Sequence, residues 1–255
     1  MSPDGASLAA SYRCGSEPMR IGIIDLETKT IKSQIIREHG QYADSPAFSN
    51  DGNMVAFTSG VPGEFPNGIY IFDLKTGSTR EVLTSELPNG FPTFSPDDRR
   101  IAFLRAGRVR AKNAALAIGD INVFEINLKS NEVSQLTKNG QYAVTGLTYI
   151  TAERLLVSGP GVAGGQGDAA IISHPEYNFE PIELARREVS DVNVATSTGS
   201  IYFIGRANLT KHGPYDYEVF SMRDDVKQQI TNRGSYLTSL SVSSTGRFIA
   251  YLSDK

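Results

Sequence analysis

The chain has 255 residues, a formal net charge of -3 and 40 % apolar residues. That suffices to bury a core, and it excludes the basic footprint of a nucleic-acid-binding protein. Its single cysteine, Cys14, rules out an internal disulfide, and no apolar run reaches the roughly 18 residues of a membrane helix.

The chain opens on MSPDGASLAA, a Ser-x-Asp-Gly turn running into a strand, and RIGIIDLETKT from Arg20 adds an apolar run and a polar turn. The phrase then returns complete as AFSNDGNMVAF from Ala47, IYIFDLKTGS from Ile69 and TREVLT, ending at Thr84. It returns again as TFSPDDRRIAF from Thr93, INVFEINLKSN from Ile121 and NEVSQLT, ending at Thr137. A degenerate copy follows from 142 to 186, where TAERLLV replaces the Asp-Gly turn. Then come ATSTGSIYFI from Ala195, YEVFSMRDD from Tyr217, KQQIT ending at Thr231 and, last, SVSSTGRFIAY from Ser241.

With the Gly slot as a ruler, the marks fall at Gly5, Gly52, Asp98, Glu153, Gly199 and Gly246, giving steps of 47, 46, 55, 46 and 47 residues. A period in this range is the signature of a repeat architecture. Each unit reads as four short strands rich in Ile, Val, Phe and Tyr. Asp25, Asp73, Asn127 and Ser221 occupy the second turn slot, where a short polar side chain bonds the backbone of a tight turn. Nothing supports a helix longer than a turn or two.

Four-stranded antiparallel units at this period predict an all-β β-propeller. SPDG followed by IAF, then IYIFDLKTG and LT, resembles the TolB-type, WD-repeat-like propeller family, and the likeness covers nearly the whole chain. There is no Trp, and hence no His-Trp-Asp signature of the eukaryotic WD repeats. The expectation is one propeller domain over 1–255, with repeats at about 1–42, 43–88, 89–142, 143–188 and 189–236 and a partial one at 237–255.

The strand count comes to three, then four in each of four blades, then two, which suits five to six blades incomplete at both ends. Met1 stands where Phe48 and Phe94 close a first strand, and a spare first strand begins near Leu237. We therefore expect a piece of a longer propeller chain, or partial closure of the N-terminal blade by the C-terminal segment. Val55, Ile101, Ile201 and Ile249 should be buried at equivalent places between neighbouring blades.

Several motifs invite a sharper reading. Gly159 to Gly164 fits G-x-G-x-x-G, but a dinucleotide site needs a helix to follow, and AIIS reads as a strand. Gly164-Gly165-Gln166-Gly167 resembles a calcium nonapeptide in a single misregistered copy. His39, His174 and His212 lie in three different repeats, so neither a metal nor any other cofactor is expected. No G-x-S-x-G elbow is present, and the turn aspartates read as structural. Arg105, Arg108, Arg110 and Lys112 form a basic run within an insertion of about eight residues. They read as a solvated loop or, alternatively, as a grip for a carboxylate or phosphate.

Turns one to two and three to four are tight and share one end of the blades, whereas the remaining loops are long: SGVPGEFPNG, AGRVRAKNAALAIGD, SGPGVAGGQGD and GRANLTKHGPYD. Irregular loops on a rigid scaffold are where binding residues concentrate. At that end HGQY, NGQY and RGSY place Tyr42, Tyr142 and Tyr236 at the entry of first strands, about ten residues before the Gly slot. They read either as packing residues or as a ring of aromatic anchors around the channel mouth.

The resemblance implies a non-catalytic scaffold in the periplasm that binds a protein or peptide, and the loops and Gly-x-Tyr repeats offer Tyr42, Tyr142, Tyr236, Arg105, Arg108 and Arg110 as the candidate binding residues. No signal peptide opens this chain. No nucleic acid and no membrane insertion are expected. The alternative is the propeller module of a prolyl-oligopeptidase-type serine peptidase whose catalytic residues would lie beyond Lys255. A sugar-active propeller enzyme with a metal in its channel fits the scattered histidines less well.

Overall fold

The computed structural model describes residues 1–37, 41–112, 115–138, 140–141, 143–159, 162, 169–184, 189–207 and 217–253, the side chains of 110–112, 115–117 and 190 excepted. The chain divides into two compact units, Met1–Gln141 and Tyr142–Lys255. Both are built of antiparallel sheets, with no α-helix among the described residues.

The first unit opens on a three-stranded sheet of β1 (Ser7–Tyr12), β2 (Arg20–Asp25) and β3 (Thr30–Ile35). A four-stranded sheet follows in sequence order: β4 (Tyr42–Phe48), β5 (Met54–Gly60), β6 (Gly68–Asp73) and β7 (Thr79–Thr84). The third blade has β8 (Asn89–Phe94) and β9 (Arg100–Arg105). It then carries a separate two-stranded ribbon, β10 (Arg108–Lys112) and β11 (Ala115–Gly119), before β12 (Asn122–Asn127) and β13 (Val133–Gln135) complete it. The basic insertion is thus a hairpin and not an irregular loop. Its alternating Val109 and Ile118 pair across the ribbon, and both are more than a third exposed.

In the second unit β14 (Gly146–Thr151), β15 (Arg154–Ser158), β16 (Ala169–Ser173) and β17 (Glu180–Ile182) form one blade. The next comprises β18 (Ser190–Ala195), β19 (Ser200–Arg206), β20 (Tyr217–Arg223) and β21 (Val226–Gln229), followed by the pair β22 (Leu237–Val242) and β23 (Ile249–Ser253). The fold is that of a β-propeller with four-stranded antiparallel blades. Apart from the inserted ribbon, its strands follow the expected series of three, four per blade and two. The Gly159–Gly164 stretch joins the antiparallel strands β15 and β16, although only Gly159 and Val162 of it are described.

Burial explains the strand compositions. The second strand of each full blade is covered on both faces, so it reads as a near-continuous apolar run, as in Val55-Ala56-Phe57 and Leu155-Leu156-Val157. Fourth strands are largely exposed and polar, as in VKQQ. The core lies between blades that pack face to face. Val55 and Phe57 join Ile21, Ile23 and Ile35 of the first sheet, whereas Ala56 joins Ile101, Phe103 and Ile126 of the third. In the second unit Ile201 and Phe203 pack on Leu156 and Ala169, and Ile204 and Val219 pack on Leu237 and Val242.

Val55, Ile101 and Ile201 are buried at equivalent interblade positions. Ile249 occupies the same register but is only half-buried, because β23 is paired on one side alone among the described residues. One turn assignment needs correction. Ser221 lies inside β20 opposite Gln228, and the turn is Asp224-Asp225, both with positive φ (49° and 60°). A two-residue loop with both φ positive is the hairpin turn that follows strand twist, and Asp tolerates it.

Candidate functional site

The tight-turn ends of the blades are occupied by structural bonds. In Ser-x-Asp-Gly the serine Oγ donates to the aspartate two residues on, at 2.6 Å in Ser2–Asp4, Ser49–Asp51 and Ser95–Asp97. The same Oγ accepts the backbone N–H five residues on, from Ser7, Met54 and Arg100. These serine bonds hold all three carboxyl groups below the usual aspartate pKa. Asp25 and Asp73 each accept two backbone N–H groups of the second turn, and those bonds depress their pKa likewise. Asn127 does the same work without a charge. The turn aspartates are therefore the structural groups that their spacing suggests.

Asp98 stands in the Gly slot of the third blade with φ 56°, where Gly52, Gly199 and Gly246 have 71–74°. Its carboxylate accepts from Asn50 N (2.8 Å), Asn50 Nδ2 (3.0 Å) and Asp51 N (2.9 Å). The turn of one blade is thereby tied to the turn of the next.

The leading strands carry a feature that sequence reasoning missed. In β4, β8, β18 and β22 the register slips, and one residue adopts a left-handed backbone three or four positions before the strand's last residue. These residues are Ser45 (φ 52°), Phe91 (51°), Asp191 (48°) and Ser239 (58°). Each is a β-bulge of the kind that re-aims side chains. Three are small polar residues that tolerate this conformation, whereas Phe91 is a bulky one for which it is costly. No glycine marks the positions, so the sequence carries no ready signal for them.

At the long-loop end, Tyr42 opens β4 half-buried and donates its hydroxyl to the Glu64 carbonyl at 3.0 Å. Burial, aided by the Asp44 and Glu64 carboxylates, pushes its pKa up to about 12. Tyr236 precedes β22 at the equivalent place in its own blade. It is 48 % exposed and packs edge-on against Tyr217 at 5.7 Å. Its approach segment is fixed by the buried Glu218, whose carboxylate accepts from Thr231 Oγ1 and from the backbone N–H groups of Arg233 and Gly234. Tyr142 lies outside the described residues.

The arginines of the basic run have different roles. Arg108 pairs with Asp120 at the base of the ribbon, Nε to Oδ2 at 2.9 Å, with both side chains about half exposed. Arg110 sits in β10 opposite Ala117, and its side chain is outside the described ones. Arg105 ends β9 and lies over the stacked pair Phe103–Phe124, 5.2 and 4.7 Å from the ring centroids. Its Nε donates to Asn89 Oδ1 at 2.9 Å, and burial lowers its pKa. Its Nη2 is enclosed without a hydrogen-bond partner.

Of the histidines only His174 is described, edge-on to Tyr177. Among the described residues no three His, Cys, Asp or Glu side chains cluster as metal ligands, and no helix is long and apolar enough to cross a membrane.

The blades define a β-propeller, and TolB proteins are among those that the chain is similar to. The Tol-Pal system protein TolB of Francisella tularensis subsp. mediasiatica is 27 % identical over 111 residues, which are 42 % of this chain and 22 % of that protein. Among solved structures, TolB from Acinetobacter baumannii superposes with a TM-score of 0.71 at 17 % identity, covering 96 % of this chain and 57 % of that one. An oligogalacturonate lyase in complex with manganese gives 0.65 at 13 % identity (97 % and 68 % covered), and the tricorn protease gives 0.61 at 10 % (99 % and 26 %). No family model matches the chain. It spans about a fifth of the curated relatives that it matches.

Proposed function

We propose that the chain is a non-catalytic propeller scaffold that binds a protein or peptide partner at the long-loop end of its blades, in an extracytoplasmic compartment. The observation that carries this reading is the asymmetry of the two blade ends. At the tight-turn end, repeated Ser–Asp clasps and the Asp98 bridge occupy the polar groups within the fold. At the other end stand the half-exposed Tyr236, the Arg105 guanidinium over its two rings, the connection between β5 and β6 and the β10–β11 ribbon. Exposed aromatics and arginines are the residue types that dominate binding hot spots. The TolB likeness supports both the partner class and the compartment.

Affinity capture from an extracytoplasmic extract of the source cell tests the proposal. One protein retained by the wild-type chain, lost with Tyr236→Ala and Arg105→Gln and kept with the tight-turn variant Asp73→Asn, is the expected result. Capture that ignores the long-loop end would overturn it. The likeness to the tricorn protease favours, as a second reading, a propeller module of a serine peptidase. Labelling of a serine in the full-length gene product by a fluorophosphonate probe would decide for that reading.

A further inference from the structure

The β10–β11 ribbon leaves the long-loop end of the third blade from a braced root. Gly107 N donates to the carbonyls of Gly119 and Asp120, both at 3.1 Å, and Arg108 Nε meets Asp120 Oδ2 at 2.9 Å. Asp120 holds a left-handed backbone (φ 55°) and is closely flanked by two glycines. A Cβ on Gly107 would come 3.0 Å from the Asp120 Cβ, and one on Gly140 would come 2.6 Å from the Asp120 Cα. The bridge between Ile121 and Gln141 ties the root to the segment that follows β13. A hairpin anchored in this way is presented at a set place, as a binding element on a rigid scaffold must be.

Beyond the root the two strands pair from Arg108 opposite Gly119 to Lys112 opposite Ala115, with no slip in register. Alternation along β10 therefore puts positions 108, 110 and 112 on one face and 109 and 111 on the other. The first set is Arg108, Arg110 and Lys112, and their cross-strand partners are the small Gly119, Ala117 and Ala115. Arg108 shows why small partners suit this face. Its guanidinium lies across the strand, so that a Cβ on Gly119 would come 3.3 Å from Nε. The opposite face carries Val109 and Ile118, paired and more than a third exposed.

β10 and β11 pair with no third strand among the described residues, so each keeps an open side. The innermost strands β4, β8, β18 and β22 also have an open side, but there a bulge breaks it. An even edge is a template for a strand from another chain, and its side chains decide which one. A second copy of β10 would bring like charges face to face, which opposes pairing. An acidic strand instead turns the same positions into cross-strand ion pairs. A guest beside β10 has Arg108, Arg110 and Lys112 along one face and Val109 along the other, so its acids must alternate with apolar residues.

We infer that the open side of β10 takes an extended segment of a partner protein in which Asp or Glu alternates with apolar residues. This rests on the protein-binding reading above and names the segment that the partner offers at one place. Main-chain bonds along the ribbon hold the guest, and the alternation sets its register. A two-stranded ribbon is marginal by itself, so the ribbon also gains from a third strand.

A fluorescein-labelled heptapeptide alternating Glu with Val, titrated with the 255-residue chain and followed by anisotropy, tests the inference. Binding is expected, weakened on the order of tenfold when the acids become Gln or when alternate backbone amides are N-methylated. Arg110→Glu combined with Lys112→Glu should lose the Glu-Val peptide and take up its Lys-Val counterpart, an exchange that misfolding does not produce. No binding of the Glu-Val peptide, or equal binding by the charge-reversed chain, overturns the inference. Equal binding of polyglutamate overturns it as a bare charge effect. Charge-dependent retention on phosphatidylglycerol vesicles in place of the peptide overturns it in favour of a lipid surface. The capture experiment above, repeated with the charge-reversed chain, separates this inference from the reading beneath it. A partner captured equally by that chain removes the ribbon and leaves the binding reading standing, whereas a wild-type chain that captures nothing overturns both.

Discussion

Asp98 Oδ1 accepts hydrogen bonds from both the backbone N–H and the side-chain amide of Asn50, 48 residues earlier, and so locks the turns of two successive blades together. The chain gives up the glycine of this slot to gain that bridge. The left-handed backbone is retained and the carboxylate earns its place by reaching across to the neighbouring turn.

Asp98→Ala should therefore lose the three bonds and keep a Cβ in a strained backbone, at a cost of about 1–3 kcal/mol. Asp98→Gly loses the same bonds but relieves the backbone, and it should fall between alanine and wild type. Urea unfolding midpoints of the three proteins give the order directly. Identical midpoints would mean that the bridge contributes nothing.

Interblade burial yields a graded series. Val55→Asp, Ile101→Asp and Ile201→Asp each insert a charge among fully packed apolar side chains, and none should fold, because an unpaired buried charge costs more than the few kcal/mol of a domain's stability. Ile249→Asp should be tolerated, since that position is half-buried. Soluble yield and circular dichroism would distinguish the two outcomes, and a folded Ile101→Asp protein would contradict the packing described here.

Acid should weaken the Ser–Asp clasps. Asp51 and Asp97 have folded pKa values below the ordinary 3.8, chiefly through Ser49 and Ser95. A depressed carboxyl pKa contributes stability above the unfolded value, and that contribution is lost as pH falls through the lower folded value. The double variant Ser49→Ala/Ser95→Ala should accordingly be less stable than wild type at pH 7 and closer to it at pH 2. Urea midpoints at the two pH values measure the difference.

Tyr42 and Tyr236 occupy matching places with different surroundings, so their substitutions should separate. Tyr42→Phe removes the bond to the Glu64 carbonyl and should cost about 1 kcal/mol of stability. Tyr236→Ala, on a side chain nearly half exposed, should cost less than about 1 kcal/mol and act instead on partner capture. Melting temperature and capture measured on each variant, and on the triple change that includes Tyr142, would assign packing or anchoring to each ring.

The repeat ruler was readable because the tight turns demand particular residues. Ser49, Asp51 and Gly52 each answer a separate geometric need, so the phrase survives from blade to blade. The interblade core was readable for the same reason, since Val55, Ile101 and Ile201 fall two or three residues after the Gly slot. Ser221 was misplaced because YEVFSMRDD offers two polar stops, and only the strand pairing decides that Asp224-Asp225 makes the turn. The β10–β11 ribbon looked like a loop because its basic residues alternate with short apolar ones and no Asn-Gly or Asp-Gly announces its turn. The surroundings of Arg105 and the backbone of Phe91 were least legible of all. They depend on a neighbour brought in from another strand and on a backbone angle that Phe rarely adopts.

The bulges at Ser45, Phe91, Asp191 and Ser239 also bear on how a guest chain can be held. Each lies in the edge strand of its sheet, whose open side would otherwise form a ready template for strand addition. A left-handed residue in mid-strand breaks the even spacing of the backbone groups along that side, so an extended chain laid alongside loses its ladder at that point. Such an edge resists unwanted β-pairing, and the recognition proposed for this protein would fall there to side chains and not to main-chain hydrogen bonds. A partner would then be chosen by its sequence and not merely by being unfolded.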